Sequence, residues 1–207
     1  MISVKKIVTG MLGENCYLCT EGRGKAVLID PGDHPAELLD QVRKSGCHLE
    51  AILLTHGHFD HVGAVALLRE FTGASVMIAE GDVRCLTEPM AALGQVELCS
   101  PDRVLQDGDE IFVGEMAFTC FLTPGHSPGS CVYLCDGILF SGDTLFAGSC
   151  GRWDLPGGDI SALRKSLLRL RDLHGNWRVL PGHGEETDLD TERQWNPMLK
   201  ETGPDRW

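Results

Sequence analysis

The eleven residues from Leu53 to Gly63, LLTHGHFDHVG, set His56, His58, Asp60 and His61 within six consecutive positions. Upstream, LEAILLT (49–55) is a short, nearly unbroken apolar run, the pattern of a strand buried on both faces, and it delivers His56 to its carboxyl end. Downstream, VGAVALLREF (62–71) reads as a helix closed by Gly73. Two imidazoles two residues apart at a strand end can aim at one point. A carboxylate and a third imidazole opening the next helix can aim at a second point beside it. Neutral imidazole and carboxylate are the donors that zinc and related divalent ions prefer, and two neighbouring ions account for four such donors crowded together.

Further donors are expected at other strand ends, and three loops offer them. FLTPGHSPGS (121–130) carries His126, ILFSGDTLF (138–146) carries Asp143, and RVLPGHGEET (178–187) carries His183. A single histidine in a Gly/Pro loop is ordinarily a turn residue. Here five of the eight histidines fall in such loops, and buried imidazoles and carboxylates that converge with no cation or proton between them are costly. His34, His48 and His174 lie elsewhere and read as surface or capping residues.

The rest of the chain supplies two similar layers. KIVTGML, NCYLCT and KAVLID are strands of a meander, HPAELLDQVRKSG is a helix with Pro35 in its first turn and Gly46 past its end, and SVMIAE is a further strand. Gly81 to Pro101, with Pro89 and Gly94, is the least regular segment. In the second half RVLQDGDEIFV, MAFTCFLTPGH, SCVYLCDG and ILFSGD read as strands with tight turns, Ser161 to Leu173 as a helix and WRVLPGH as a last strand. Meander, helix, strand and loop occur twice, with a faint echo between VLIDPGD and ILFSGD. Two facing sheets with helices outside both are therefore expected, in a single domain over 1–207.

With 207 residues, 43% hydrophobic and 23% charged, the chain has the balance of a globular domain, long enough to bury a core without a disulfide scaffold. No run approaches the ~18 apolar residues of a membrane span. MISVKKIVTG lacks the apolar block and cleavage site of a secretory signal, so a cytoplasmic protein is expected. The nine scattered cysteines are then reduced thiols, and Cys16 with Cys19 forms one C-x-x-C without a second to complete a zinc site. A net charge of −12 argues against a nucleic-acid groove. Arg164, Lys165, Arg169 and Arg171, at helical spacing among leucines, read as the wet side of an amphipathic helix.

THGHFDH, TPGHSPGS, FSGDTLF and LPGHGEET, in this order, resemble the motifs of the metallo-β-lactamase superfamily. FSGDTLFAGSCGR and GHGEETDLDTERQWNPML resemble its glyoxalase II branch, the hydroxyacylglutathione hydrolases, and the likeness runs from Asp30 almost to the C-terminus. The resemblance implies an α+β fold, the αββα sandwich of two mixed sheets, and two divalent ions per chain, zinc with iron or manganese as alternatives. Position by position, it implies that His56, His58 and His126 hold one ion, that Asp60, His61 and His183 hold the other, that Asp143 bridges, and that Asp30 buttresses the metal loops. The implied reaction is hydrolysis of S-(2-hydroxyacyl)glutathione, of the S-lactoyl type, by a water whose pKa the ions lower toward ~7. Asp60 would also orient that water as the catalytic residue, and a thiolate leaving group needs no obligatory general acid.

GSCGRWDLPGGD (148–159) departs from the longer members of the branch after CGR. Those members carry a C-terminal helical domain that supplies most glutathione contacts; it is expected to be absent here, as in the short, single-domain members. Arg152 is a candidate for a substrate carboxylate, or equally a brace for Asp154 or Asp159. The expected partner is a small-molecule thioester, with no nucleic acid and no membrane; the oligomeric state is left open. Rival readings are an iron-dependent persulfide dioxygenase, which resembles this chain in its CGR loop but uses one iron held by two histidines and an aspartate, a hydrolase of another ester or lactone, and a non-catalytic metal-binding module. GDTLFAG sides with the hydrolases, and His58 argues against flavodiiron-type oxidoreductases, which carry glutamate there.

Overall fold

The computed structural model of the chain describes residues 2–22, 24–89 and 96–200. Three antiparallel strands open it, β1 (Ser3–Thr9), β2 (Glu14–Thr20) and β3 (Lys25–Ile29), followed by helix α1 (Pro35–Ser45) and strand β4 (His48–Leu53). The short helix α2 (Phe59–Val62) and α3 (Val65–Thr72) precede β5 (Ser75–Ala79), a 3₁₀ turn at Glu80–Asp82 and α4 (Val83–Thr87). Strands β6 (Arg103–Leu105), β7 (Glu110–Val113), β8 (Met116–Leu122), β9 (Cys131–Cys135) and β10 (Ile138–Gly142) follow, then the small hairpin of β11 (Leu145–Phe146) and β12 (Ser149–Cys150). Helix α5 (Ile160–Arg171), β13 (Arg178–Pro181), β14 (Thr187–Asp188), α6 (Leu189–Trp195) and a 3₁₀ turn at Pro197–Leu199 complete the described elements.

The strands form two six-stranded sheets, β1-β2-β3-β4-β5-β6 and β14-β13-β10-β9-β8-β7. Each is mixed: β3, β4, β5 and β6 run parallel to one another, as do β10 and β13, while the remaining pairs are antiparallel. Tyr17, Val27, Ile29 and Leu53 of the first sheet meet Phe118, Tyr133 and Phe140 of the second in one buried cluster between the layers. Alternation along each strand turns other side chains outward, where Leu28 and Ile52 pack on Leu38, Val42 and Leu68 of the helices, and Val132 and Leu139 pack on Leu163, Leu167 and Leu170 of α5. This is the αββα sandwich read from the sequence, of class α+β. Among the described residues, no helix is long and apolar enough to cross a membrane.

Two local expectations change. RVLQDGDEIFV, read as part of the second half, spans both sheets: β6 is the parallel edge of the first and β7 the antiparallel edge of the second, with the crossover at 106–109. The helix read over 62–71 is two pieces, so Asp60 and His61 already sit in a helical turn. Cys16 and Cys19 cannot act as a pair, because residues three apart on a strand face opposite ways: Cys16 lies under the helices and Cys19 between the sheets, both free and both pushed well up by burial. Gly94 lies outside the described residues.

Candidate metal centre

All seven expected donors gather at the carboxyl ends of β4, β10 and β13 and in the loop after β8, at one rim of the sandwich. Nε2 of His126 stands 3.2 Å from Nε2 of His56 and 2.8 Å from Nδ1 of His58. Beside this trio, Nε2 of His183 lies 3.3 Å from an oxygen of Asp60, and Nε2 of His61 lies 3.9 Å from that carboxylate. Asp143 stands between the groups. One of its oxygens is 3.4 Å from His61 Nε2, and the other is 3.6 Å from both His126 Nε2 and His183 Nε2.

Hydrogen bonds behind the rings set which nitrogen faces inward. His56 Nδ1 is 3.1 Å from the Thr55 hydroxyl, which donates to Asp30 at 2.5 Å. His61 Nδ1 lies 3.0 Å from the same Asp30, and His126 Nδ1 lies 2.6 Å from the Arg152 carbonyl oxygen. A proton on each Nδ1 satisfies these acceptors and leaves the Nε2 lone pairs pointing at one another. Unprotonated nitrogens at such distances repel unless a cation lies between them. Donor atoms on a tetrahedral ion with bonds of ~2.0–2.1 Å are roughly 3.3 Å apart, and the separations here, 2.8 to 3.9 Å, bracket that value. His61 Nε2 and one Asp143 oxygen are buried without a hydrogen-bond partner, and a Cβ on Gly182 would lie 2.3 Å from that oxygen, so the cradle has room for an ion and not for a side chain. The donor set fits a divalent pair.

Asp30 also lies close enough to His56 and His61 to make a third possible donor group. Its oxygens are already engaged by the backbone N–H of Thr55 at 2.7 Å, the Thr55 hydroxyl and the back nitrogen of His61, so it braces the donors from behind. Glu14 adds to this brace. It is buried, accepts the Thr9 hydroxyl at 2.8 Å, and approaches His61 Nδ1 to 3.9 Å. Burial holds its carboxyl well above the usual carboxylate range. Neither Glu14 nor its neighbour Asn15 is apparent from motif reading. The available signal was two polar residues opening a strand, ENCYLCT, that is otherwise nearly all buried.

Burial, reinforced by the surrounding imidazoles, pushes His56 well below its ordinary pKa and takes His58 down to about 4. In the second group burial would also lower His61, but Asp143 and Asp30 outweigh it and hold His61 well above its ordinary value. The hydrogen bond to Asp60 raises His183 against burial. Burial would raise Asp143, yet His61, His126 and His183 hold it at about 2. A metal ion competes with protons for these nitrogens, so loading is expected to release protons from His61 and His183, whose pKa values are raised, and few from His56 or His58, whose values are lowered. Affinity should accordingly fall as pH falls. Calorimetric titration with zinc in buffers of different ionisation enthalpy measures both effects.

The site opens into a cavity of about 460 Å³, with Leu12, Phe59, Phe146 and Leu155 around the donors and Arg152 at its edge. Arg152 makes a bidentate pair with Asp154 at 2.7 and 2.9 Å, the brace foreseen as one of its two roles, while Asp159 instead caps α5 through Ala162 N–H. His34, His48 and His174 are exposed and belong to none of the donor groups.

Residues 9–183 match the family described as the Metallo-beta-lactamase superfamily. The chain is 32% identical to the hydroxyacylglutathione hydrolase GloC of Haemophilus influenzae, over 90% of this chain and 92% of that protein. It is similar to the solved structure of the BLEG-1 B3 metallo-beta-lactamase, with a TM-score of 0.90 and 34% identity over 95% of this chain and 99% of that one. It is also similar to TTHA1623 in a di-iron-bound form, with a TM-score of 0.85 and 43% identity over 94% and 100% of the two chains. Family, fold and donor cluster agree: the chain belongs to the metallo-beta-lactamase superfamily of metal-dependent hydrolases.

Proposed function

We propose that the protein is a binuclear thioester hydrolase, with S-(2-hydroxyacyl)glutathione as its substrate. The observation that carries the binuclear reading is the division of the donors into two groups, His56–His58–His126 and Asp60–His61–His183, with one oxygen of Asp143 turned to His61 and the other to His126 and His183. The thioester reading is supported by the likeness to GloC along nearly the whole chain. Two divalent ions held there would supply Lewis acidity, lowering the pKa of a water from 15.7 toward ~7 and drawing charge from a carbonyl. Zinc suits the donors, and the di-iron form of TTHA1623 makes iron an alternative for the test.

The chain's own residues do the rest. Asp60, 14% exposed at the cavity floor, accepts a hydrogen bond from the attacking water and so points its lone pair at the substrate. Leu12, Phe59, Phe146 and Leu155 seat the apolar part of the substrate and exclude bulk water, and Phe146 packs edge-on against His183. Arg152 offers its guanidinium to a substrate carboxylate. Its exposed pairing with Asp154 is worth little, so the exchange of partners is cheap.

Purified protein assayed for metal content and for thiol release from S-lactoylglutathione tests the reading. Close to two ions per chain and steady thiol release are expected, with Arg152→Ala raising KM several-fold at unchanged kcat, the signature of lost substrate binding. One iron per chain, with oxygen uptake on glutathione persulfide and no thiol release, would overturn it. Lactones and a β-lactam in the same panel separate other hydrolytic substrates.

A further inference from the structure

Asp82 belongs to none of the donor groups and does not line the cavity, yet it is 1% exposed. It stands at the residue opening α4, where an aspartate ordinarily caps its own helix by accepting a backbone N–H two or three residues on. Here it makes no such bond. Both oxygens turn instead to two other loops. Oδ2 accepts the N–H of Gly57 at 2.9 Å and the hydroxyl of Ser127 at 2.6 Å, and Oδ1 accepts the N–H of Gly129 at 2.8 Å. Gly57 separates His56 from His58, and Ser127 follows His126. One carboxylate thus ties together the two loops that carry the three-histidine group. The fit is tight: a Cβ on Gly57 would lie 2.4 Å from Cβ of Cys85, and one on Gly129 would lie 2.5 Å from the nitrogen of Asp82.

The second group has a brace of its own. Asn15 donates its backbone N–H to Gly182 at 2.8 Å and its side-chain amide to the carbonyls of Pro181 at 2.9 Å and Gly184 at 3.0 Å, on both sides of His183. Of these braces, Asp30, through Thr55 and His61, reaches both groups.

We propose that Asp82 is the positioning residue of the three-histidine ion and Asn15 that of the ion held with His183, so that either ion can be weakened without the other. The proposal rests on the two-ion reading above. Partners that orient metal ligands from behind typically carry about 10–100-fold in metal affinity, and bonds to a carboxylate are the stronger kind.

The test is chelator titration of the cobalt-loaded full-length protein, followed by metal content and by the histidine N–H proton resonances that the paramagnetic ion shifts. Wild type is expected to hold two ions. Asp82→Ala should surrender one ion at about 10–100-fold lower chelator and lose the resonances of His56, His58 and His126 while keeping those of His61. Asp82→Asn, which keeps one acceptor oxygen, should fall between. Asn15→Ala should show the reverse, losing the His61 signal and keeping the trio. A folded Asp82→Ala protein that holds both ions as tightly as wild type, or surrenders both together, overturns the proposal. Should Asp82→Ala fail to fold, Ser127→Ala, which removes one of the three bonds, is judged by the same selective loss. A wild-type protein that binds fewer than two ions overturns the two-ion reading itself, a result distinct from two ions lost together in the variant.

Discussion

Asp143→Ala is expected to release both ions together and abolish turnover. Among the donors, this carboxylate alone faces both groups, with one oxygen on His61 and the other on His126 and His183. Its removal leaves Asp60 as the one carboxylate among the remaining donors, so two dications would share a single negative charge at the floor of a largely buried site. Mutual repulsion at short range in such surroundings is severe. Metal content should fall from close to two ions per chain to below one, and kcat/KM should drop by more than the ~100-fold that marks the loss of an outer-shell partner. Plasma emission analysis and thioester assay on the same preparation check this, with His34→Ala as an exposed control that keeps both values. A variant that retained two ions would remove Asp143 from the bridging role.

Asp30→Ala should cost the most stability of any single change near the site. Three donors converge on Asp30 in a buried setting: the Thr55 N–H, the Thr55 hydroxyl and His61 Nδ1. Each buried donor left without a partner costs about 1–3 kcal/mol. Asp30 also holds a left-handed backbone, φ 50°, which aspartate and asparagine tolerate better than alanine. A loss of about 3–5 kcal/mol is expected, comparable with breaking a buried ion pair, which in a chain of this length lowers the melting temperature by roughly 10–15 °C. Asp30→Asn keeps the backbone preference and one acceptor oxygen and should fall between alanine and wild type. Because Asp30 touches the supports of both donor groups, both ions should weaken in parallel, in contrast to the selective losses expected at Asp82 and Asn15. Thermal melting with and without chelator separates the loss of fold stability from the loss of metal.

The donors were legible because their signals are local. A buried-strand run ending in histidines, and three further strands ending in Gly/Pro turns with His126, Asp143 and His183, need only neighbouring residues to be recognised. The braces were not legible. Asp82 looks like an ordinary helix cap, and only the approach of the loops at Gly57 and Gly129 turns it into a cross-tie. Glu14 and Asn15 open a strand that would suit a surface edge until the loop carrying His183 closes over them, with Glu14 and His183 forming an isolated β-bridge. The crossover between β6 and β7 was missed for the same reason. Arg103 to Val113 has a uniform strand-and-turn pattern, and while β7 pairs with β8 directly after it, the sheet that β6 joins depends on β5, on the far side of the 80–102 segment.

Residue order alone determined the kinds of donor, their placement at strand ends and the two-layer scaffold, since periodicity and turn chemistry act over a few residues. Tertiary structure decided which nitrogen of each imidazole faces inward, that Arg152 is already paired to Asp154, and that Asp82 and Asn15 each serve a different donor group. The Arg152–Asp154 pair is local, but the others depend on hydrogen bonds between segments tens to more than a hundred residues apart, and such partners exist only once the two sheets have closed on each other.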